Sequence, residues 1–204
     1  KDGLMPKNTY GDWCVPPEDP QLIHSKHPAR VTAGPLLSTA YFYNIARLMS
    51  RYARITGHGE DAAGFEALAQ ELRAAFLKAY YKAEEGRFDN GTQTSSVLPL
   101  AFGLAPEEAR ARVAERLAEK ISKETNNHVG VGLVGAQWLM RALSDNGMAE
   151  LAYTIAAQKS YPGWGYMVDK GATTIWELWN GDTADPAMNS GNHVMQVGDL
   201  GVWL

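Results

Sequence analysis

The chain has 204 residues, 45% hydrophobic and 21% charged, which is the size of one domain with enough apolar surface to bury a core. Nineteen Lys and Arg against 23 Asp and Glu leave a net charge of −4, which argues against a basic nucleic-acid footprint. The single cysteine, Cys14, excludes an internal disulfide and a cysteine-rich zinc site, and no run nears the roughly 18 apolar residues of a membrane span.

The chain opens at Lys1 without an initiator Met or a signal-like apolar segment, which suggests a processed or excised polypeptide. Pro and Gly then punctuate the first 35 residues too often for a long helix. A helix is expected from Ser38 or Thr39, either a candidate cap, up to Gly57. Its apolar stripe is Tyr41, Ile45, Leu48, Tyr52 and Ile55. A second helix follows from Asp61, with Phe65, Leu68, Leu72, Phe76 and Tyr80 on one face. Glu84 to Asn90 reads as a loop, and Thr92 to Gly103 as a short helix. Pro106-Glu107-Glu108 opens a fourth helix, whose stripe is Val113, Leu117 and Ile121. A Gly-rich turn at Gly130 and Gly132 precedes a fifth, Val134 to Leu143, and a sixth runs from Met148 to Gln158. Lys159 to Asn189 is the longest irregular stretch. A seventh helix begins within Asn192 to Leu204, where Val194, Val197 and Leu200 recur at spacing three.

Six or seven helices joined by short turns make an all-α architecture of antiparallel hairpins. The helices near Ser38, Thr92 and Val134 carry little charge and alternate with the charged ones at Asp61 and Pro106. That alternation predicts an inner layer of buried helices and an outer, solvated layer, as in part of an (α/α)6 toroid. No fixed-period repeat supports a simple solenoid.

No P-loop, Gly-x-Ser-x-Gly elbow or His-Glu-x-x-His motif is present. His24 and His27 have no carboxylate cluster to complete a metal site, and Cys14 reads as a small buried hydrophobe. The block Thr173-Thr174-Ile175-Trp176-Glu177-Leu178-Trp179 places one carboxylate among indoles and aliphatics, where a carboxyl pKa tends to rise toward a range useful for proton transfer. Glu177 could equally cap a turn or face water while its neighbours fill the core. Asp182 and Asp185 follow it, and Gly11-Asp12-Trp13 sets an acid beside an indole near the other end. Asp, Trp and His together suit a pyranose site, as acceptors for vicinal hydroxyls and flat faces for the ring.

These blocks, with Thr39-Ala40-Tyr41-Phe42-Tyr43, Gln93-Thr94, Pro162-Gly163-Trp164-Gly165-Tyr166 and Asn192-His193, come in the same order as in bacterial α-L-rhamnosidases. Over its whole length the chain resembles the C-terminal half of their (α/α)6 catalytic barrel. The resemblance implies inverting hydrolysis of terminal α-L-rhamnose without metal or other cofactor. It also implies Glu177 as general base and a sugar pocket lined by Asp12, Trp13 and His193. Trp176 and Trp179 are implied as the setting that holds Glu177, with Trp179 among the substrate-binding residues and Trp164 on the apolar wall. His193 is expected to hydrogen-bond Glu177. The family's general acid lies in an acid-rich block upstream of the Gly-Asp-Trp segment, before Lys1. The expected polypeptide is therefore a single-domain fragment whose partners are a rhamnose-containing glycoside and the missing half of the barrel. A half-barrel would expose apolar helix faces and tend to self-associate. The competing readings are another inverting (α/α)6 glycosidase, or a non-catalytic helical scaffold or carbohydrate-binding module.

Overall fold

The computed structural model describes residues 3–8, 10–19, 21–193 and 200–204. Among the described residues these helices follow one another: α1 (Gly34–Ile55), α2 (Gly59–Tyr80), α3 (Gln93–Phe102), α4 (Glu107–Glu119), α5 (Leu133–Ser144), α6 (Ala149–Ala156) and α7 (Trp164–Asp169). A two-residue ribbon, β1 (Tyr81–Lys82) antiparallel to β2 (Arg87–Phe88), closes the α2–α3 connection. A π turn, Lys120–Glu124, prolongs α4. Among the described residues no helix is long and apolar enough to cross a membrane.

The helices sort into two layers. α1, α3 and α5 stand side by side, and each is backed by the helix that follows it: α2, α4 and α6. The inner position of α3 is the clearest, because every residue except Ala101 is buried. Thr92 caps its start by accepting from Ser95 N at 3.2 Å, and Gly103 ends it in the left-handed conformation (φ 70°) that an L side chain resists. The alternation of low and high charge along the sequence thus translates into inner and outer helices, the arrangement of a partial (α/α)6 toroid.

The core runs along this inner row. Phe76, Phe88, Phe102, Leu98, Leu117 and Leu139 are all fully buried, each stabilising the fold by about 1.5–3 kcal/mol through removal from water.

Three elements depart from the sequence pattern. α1 starts at Gly34, one turn before the expected caps, and Ser38 and Thr39 lie inside it. Their hydroxyls donate back to the carbonyls of Gly34 (2.9 Å) and Pro35 (2.7 Å), so they do not cap the end. α2 likewise begins at Gly59, with Asp61 in its first turn, where its charge favours the helix dipole.

The second departure is the face of α1. Of the expected stripe, Tyr41 is half-buried and Ile45, Leu48, Tyr52 and Ile55 are exposed, the last at 71%. The packed face is instead Leu36, Ala40, Tyr43, Ala46, Ser50 and Ala53. Small side chains let α1 approach α2 closely, and Ser50 Oγ donates to Ala62 O across the contact at 2.9 Å. Both stripes have helical spacing, and a reading that favours large residues selects the outer one. The third departure is α7, which lies inside the stretch expected to be irregular. Six residues are too few to show a period. At the C-terminus, residues 200–203 are helical, while Val194 and Val197 of the expected seventh helix lie outside the described residues.

Candidate active site

The N-termini of the inner helices α3 and α5 meet the segment Gly11-Asp12-Trp13. Asp12 is buried and saturated. Its Oδ2 accepts from Gly132 N (2.9 Å) and from the Thr94 hydroxyl, and its Oδ1 accepts from Val134 N (2.9 Å) and Gly135 N (3.1 Å). A carboxylate is thus set against the open N–H groups at the start of α5, where the helix dipole also favours it. Burial raises the Asp12 carboxyl above the usual range, against four hydrogen bonds that pull it down. Gly132 is glycine for reasons of space: a Cβ there would collide with the backbone carbonyls of Trp13 and Asp12. Leu133 N also donates to Trp13 O at 2.7 Å. Asp12 was expected to meet a sugar, but its oxygens are occupied by the protein. It anchors the Trp13 segment to the bundle.

Glu177 sits in a different setting. Residues 174–178 run beside residues 189–193: Glu177 N donates to Ser190 O (2.9 Å), His193 N to Ile175 O (2.7 Å), and the Thr174 hydroxyl to Asn192 Oδ1 (2.8 Å). Ser190 N closes the loop by donating to Glu177 Oε2 at 3.1 Å. The carboxylate is half-buried, and among the described residues this backbone N–H is its hydrogen-bond donor. The donor expected from His193 is therefore supplied by the backbone of Ser190. His193 lies alongside through its own backbone, and its Nδ1 is buried without a partner among the described residues. The nearby acids are engaged locally. Asp182 accepts from the Tyr166 hydroxyl (2.6 Å) and lies 3.7 Å from Lys170, and Asp185 accepts from Ala187 N. Burial, then that bond to Asp182, pushes the Tyr166 phenol up to about 12.

The two segments meet around Cys14. Its thiol is fully buried with Leu178 and Ala184, and Trp13, Ile23 and Leu133 pack on this cluster. Burial, followed by the negative charges of Glu177 and Asp12, pushes the thiol pKa up, so Cys14 is an inert small hydrophobe. A loop stitches the same region: Ser25 N donates to Val15 O (2.9 Å), and Asn180 Nδ2 to Leu22 O (3.0 Å). It lays the His24 ring on Trp13, with centroids 4.9 Å apart, and Tyr10 meets Trp13 edge-on from another side. Burial and the charge of Lys26 lower the His24 pKa, which favours the neutral imidazole. His24 was weighed from sequence only as a metal ligand; its contact with Trp13 crosses a Pro-broken loop that carries no periodic signal.

The structure thus packs Trp13 on the cluster that holds Leu178, the neighbour of Glu177, and runs the Glu177 segment beside the one that ends at His193. It withdraws the two other indoles. Trp179 is fully buried, donates Nε1–H to Val131 O at 3.0 Å, and packs edge-on against Trp164, itself buried. Neither presents a face to a ligand; both are core. Trp176, by contrast, is half-buried, with its ring where a Cβ on Gly181 would stand. A cleft of about 750 Å³ opens elsewhere, between residues 15–18, 27–30, 120–130 and Tyr161, and Glu177 does not line it. Among the described residues no group of three His, Cys, Asp or Glu side chains is placed to hold a metal ion.

Comparison with known proteins places this arrangement. The whole chain, residues 1–204, matches the bacterial alpha-L-rhamnosidase 6 hairpin glycosidase domain. It is 35% identical over 209 residues to an alpha-L-rhamnosidase of Formosa agariphila, covering all of this chain and 22% of that protein. The structure of alpha-L-rhamnosidase from Dictyoglumus thermophilum superimposes with a TM-score of 0.87 at 34% identity, over 99% of this chain and 22% of that one. The alpha-L-rhamnosidase of Streptomyces avermitilis, solved in complex with L-rhamnose, gives the same TM-score and identity over all of this chain and 19% of that one. The chain spans about a fifth of the length of these relatives. With its inner and outer helices and its match along the full length, the chain belongs to the bacterial alpha-L-rhamnosidase six-hairpin glycosidase family.

Proposed function

We propose that this chain is the single-domain base-bearing portion of an inverting α-L-rhamnosidase, with Glu177 as general base. The observation that carries the reading is the contrast among the acids beside these tryptophans: Asp12 is saturated by four donors and Asp182 is engaged by the Tyr166 hydroxyl and Lys170, whereas Glu177 keeps a half-buried carboxylate fixed by one backbone N–H. Its neighbour Leu178 lies in the cluster that Trp13 covers, an indole whose flat apolar face suits a sugar ring, and its segment runs beside the one that ends at His193. The L-rhamnose bound to the Streptomyces avermitilis relative supports the choice of sugar.

In the reaction, water attacks the anomeric carbon as the bond to the leaving oxygen breaks. Glu177 takes the proton from that water, and a second carboxylic acid, from a segment outside this chain, protonates the leaving oxygen. Inversion requires the two carboxyl groups to stand roughly 6.5–9.5 Å apart, leaving room for the water. The face of α1 supports a longer protein: Ile45, Leu48, Met49, Tyr52 and Ile55 form an apolar stripe left exposed by the described residues and suited to a further helical hairpin.

The test is the anomeric configuration of the first-formed product. Proton NMR of an aryl α-L-rhamnoside treated with the longer enzyme should show β-L-rhamnose before mutarotation. Initial release of the α-anomer would overturn the mechanism, and full activity of the 204-residue chain alone would overturn the missing acid.

A further inference from the structure

Glu177 is held by the two residues that pass beside it, Asn189 and Ser190. Its own N–H donates to Ser190 O (2.9 Å), and its carboxylate Oε2 accepts from Ser190 N (3.1 Å). The next amide along, Leu178 N, donates to the side-chain Oδ1 of Asn189 at 3.3 Å. The peptide groups on both sides of the Glu177 Cα are therefore fixed, together with one oxygen of its carboxylate. The contacts from Ser190 come from its backbone, so a change of side chain there leaves them in place. The contact from Asn189 comes from its side chain.

The other end of that side chain completes a clamp. Asn189 Nδ2 donates to Gly181 O at 3.2 Å, across a turn that Gly181 N closes by donating to Leu178 O at 3.2 Å. One side chain thus spans the turn after Glu177, from its first N–H to its last C=O. That pairing needs an acceptor and a donor on one short planar group, which is the chemistry of an amide. An aspartate would set a charged oxygen against the Gly181 carbonyl. The site also leaves room for the amide: a Cβ on Gly181 would stand 2.8 Å from the Trp176 ring and 3.0 Å from Asn189 Nδ2. Leu178 and Trp179, within the turn, are fully buried, so the clamp ties Glu177 to packed core.

We propose that Asn189 is a positioning residue for the reaction, acting through the backbone of Glu177; this rests on reading Glu177 as the general base. Misplacing a reacting group by about 1 Å can cost about a hundredfold in rate, so the clamp bears on kcat rather than on sugar binding. The test is a double-mutant cycle in the longer enzyme, read by steady-state kinetics on an aryl α-L-rhamnoside with folding checked by circular dichroism. Asn189→Ala should lower kcat about tenfold to a hundredfold and change KM less than about twofold. In the Glu177→Gln background the same substitution should change kcat less than about twofold, since no base is left to position. A side chain that only stabilised the fold would lower activity by the same factor in both backgrounds, and that result would overturn the proposal. So would a normal kcat for Asn189→Ala beside a crippled Glu177→Gln. A near-normal kcat for Glu177→Gln would instead overturn the base reading itself. If Asn189→Ala does not fold, Asn189→Asp, which keeps an acceptor for Leu178 N, takes its place in the cycle with the same non-additivity expected.

Discussion

Asp12 and Glu177 are both acids beside tryptophans, and the two regions that hold them use the carboxyl group in opposite ways. Under α5, Asp12 receives four donors and is sealed from solvent, so its charge organises a helix start and fixes the segment leading to Trp13. On the ribbon of residues 174–178 and 189–193, Glu177 receives one backbone donor and stays half-buried, and the neighbouring chain shapes its position without saturating it. The lesson is that composition around an acid does not assign its role. What separates these two acids is the number of protein donors each meets, because each donor occupies a lone pair that a substrate or a water would otherwise use.

The largest expected effect separates the two acids by function. In the longer enzyme proposed above, Glu177→Gln should lower kcat by about two to four decades, the usual contribution of a general base, with folding stability changed by less than about 0.5 kcal/mol. Steady-state kinetics and urea unfolding on the same preparation measure both, and a near-normal kcat would break the comparison.

Asp12→Ala should act the other way. It leaves three backbone N–H groups and one hydroxyl without their acceptor, and should destabilise the fold by about 3–5 kcal/mol, as expected for removal of a buried charge that binds several donors. A loss below about 1 kcal/mol in urea unfolding would show that the helix start does not depend on this carboxylate.

Gly132→Ala sharpens the same side of the comparison without touching any charge. The new methyl group meets backbone carbonyls that have no rotamer in which to escape, so a loss of about 1–3 kcal/mol is expected in thermal unfolding. Retained stability would mean that the Trp13 segment can lift from α5.

The smallest effect lies on the open face of α1. Ile45→Lys, at a site 52% exposed, should change the stability of the 204-residue chain by less than about 0.5 kcal/mol. It should also reduce any self-association seen by light scattering. A loss of several kcal/mol would place Ile45 in a packed interface.

Much of the architecture was legible in the sequence. The bounds of α3 follow from Thr92 and Gly103, because capping chemistry is local, and the inner and outer layers follow from charge, because a helix buried on all sides cannot carry solvated ions. The resemblance to the rhamnosidases rested on short blocks whose order along the chain survives without any coordinates. α7 was not legible, because a short helix leaves no periodic trace. Nor was the packed face of α1, where alanine and serine outcompete larger residues by allowing close approach to α2.

The amino-acid order by itself therefore determined the helical class, the layer of each long helix and the cluster of residues from which the site is drawn. Only the tertiary structure decided what each of those residues does. Trp179 and Trp164 went to the core, Asp12 to the start of α5, and His24 to a tilted contact with Trp13, while Glu177 stayed half-buried. The reason is physical: burial and hydrogen-bond saturation are properties of the neighbours that folding brings up, from 11 residues away for Trp13 and His24 to 123 for Asp12 and Gly135, and no local pattern in the chain encodes them.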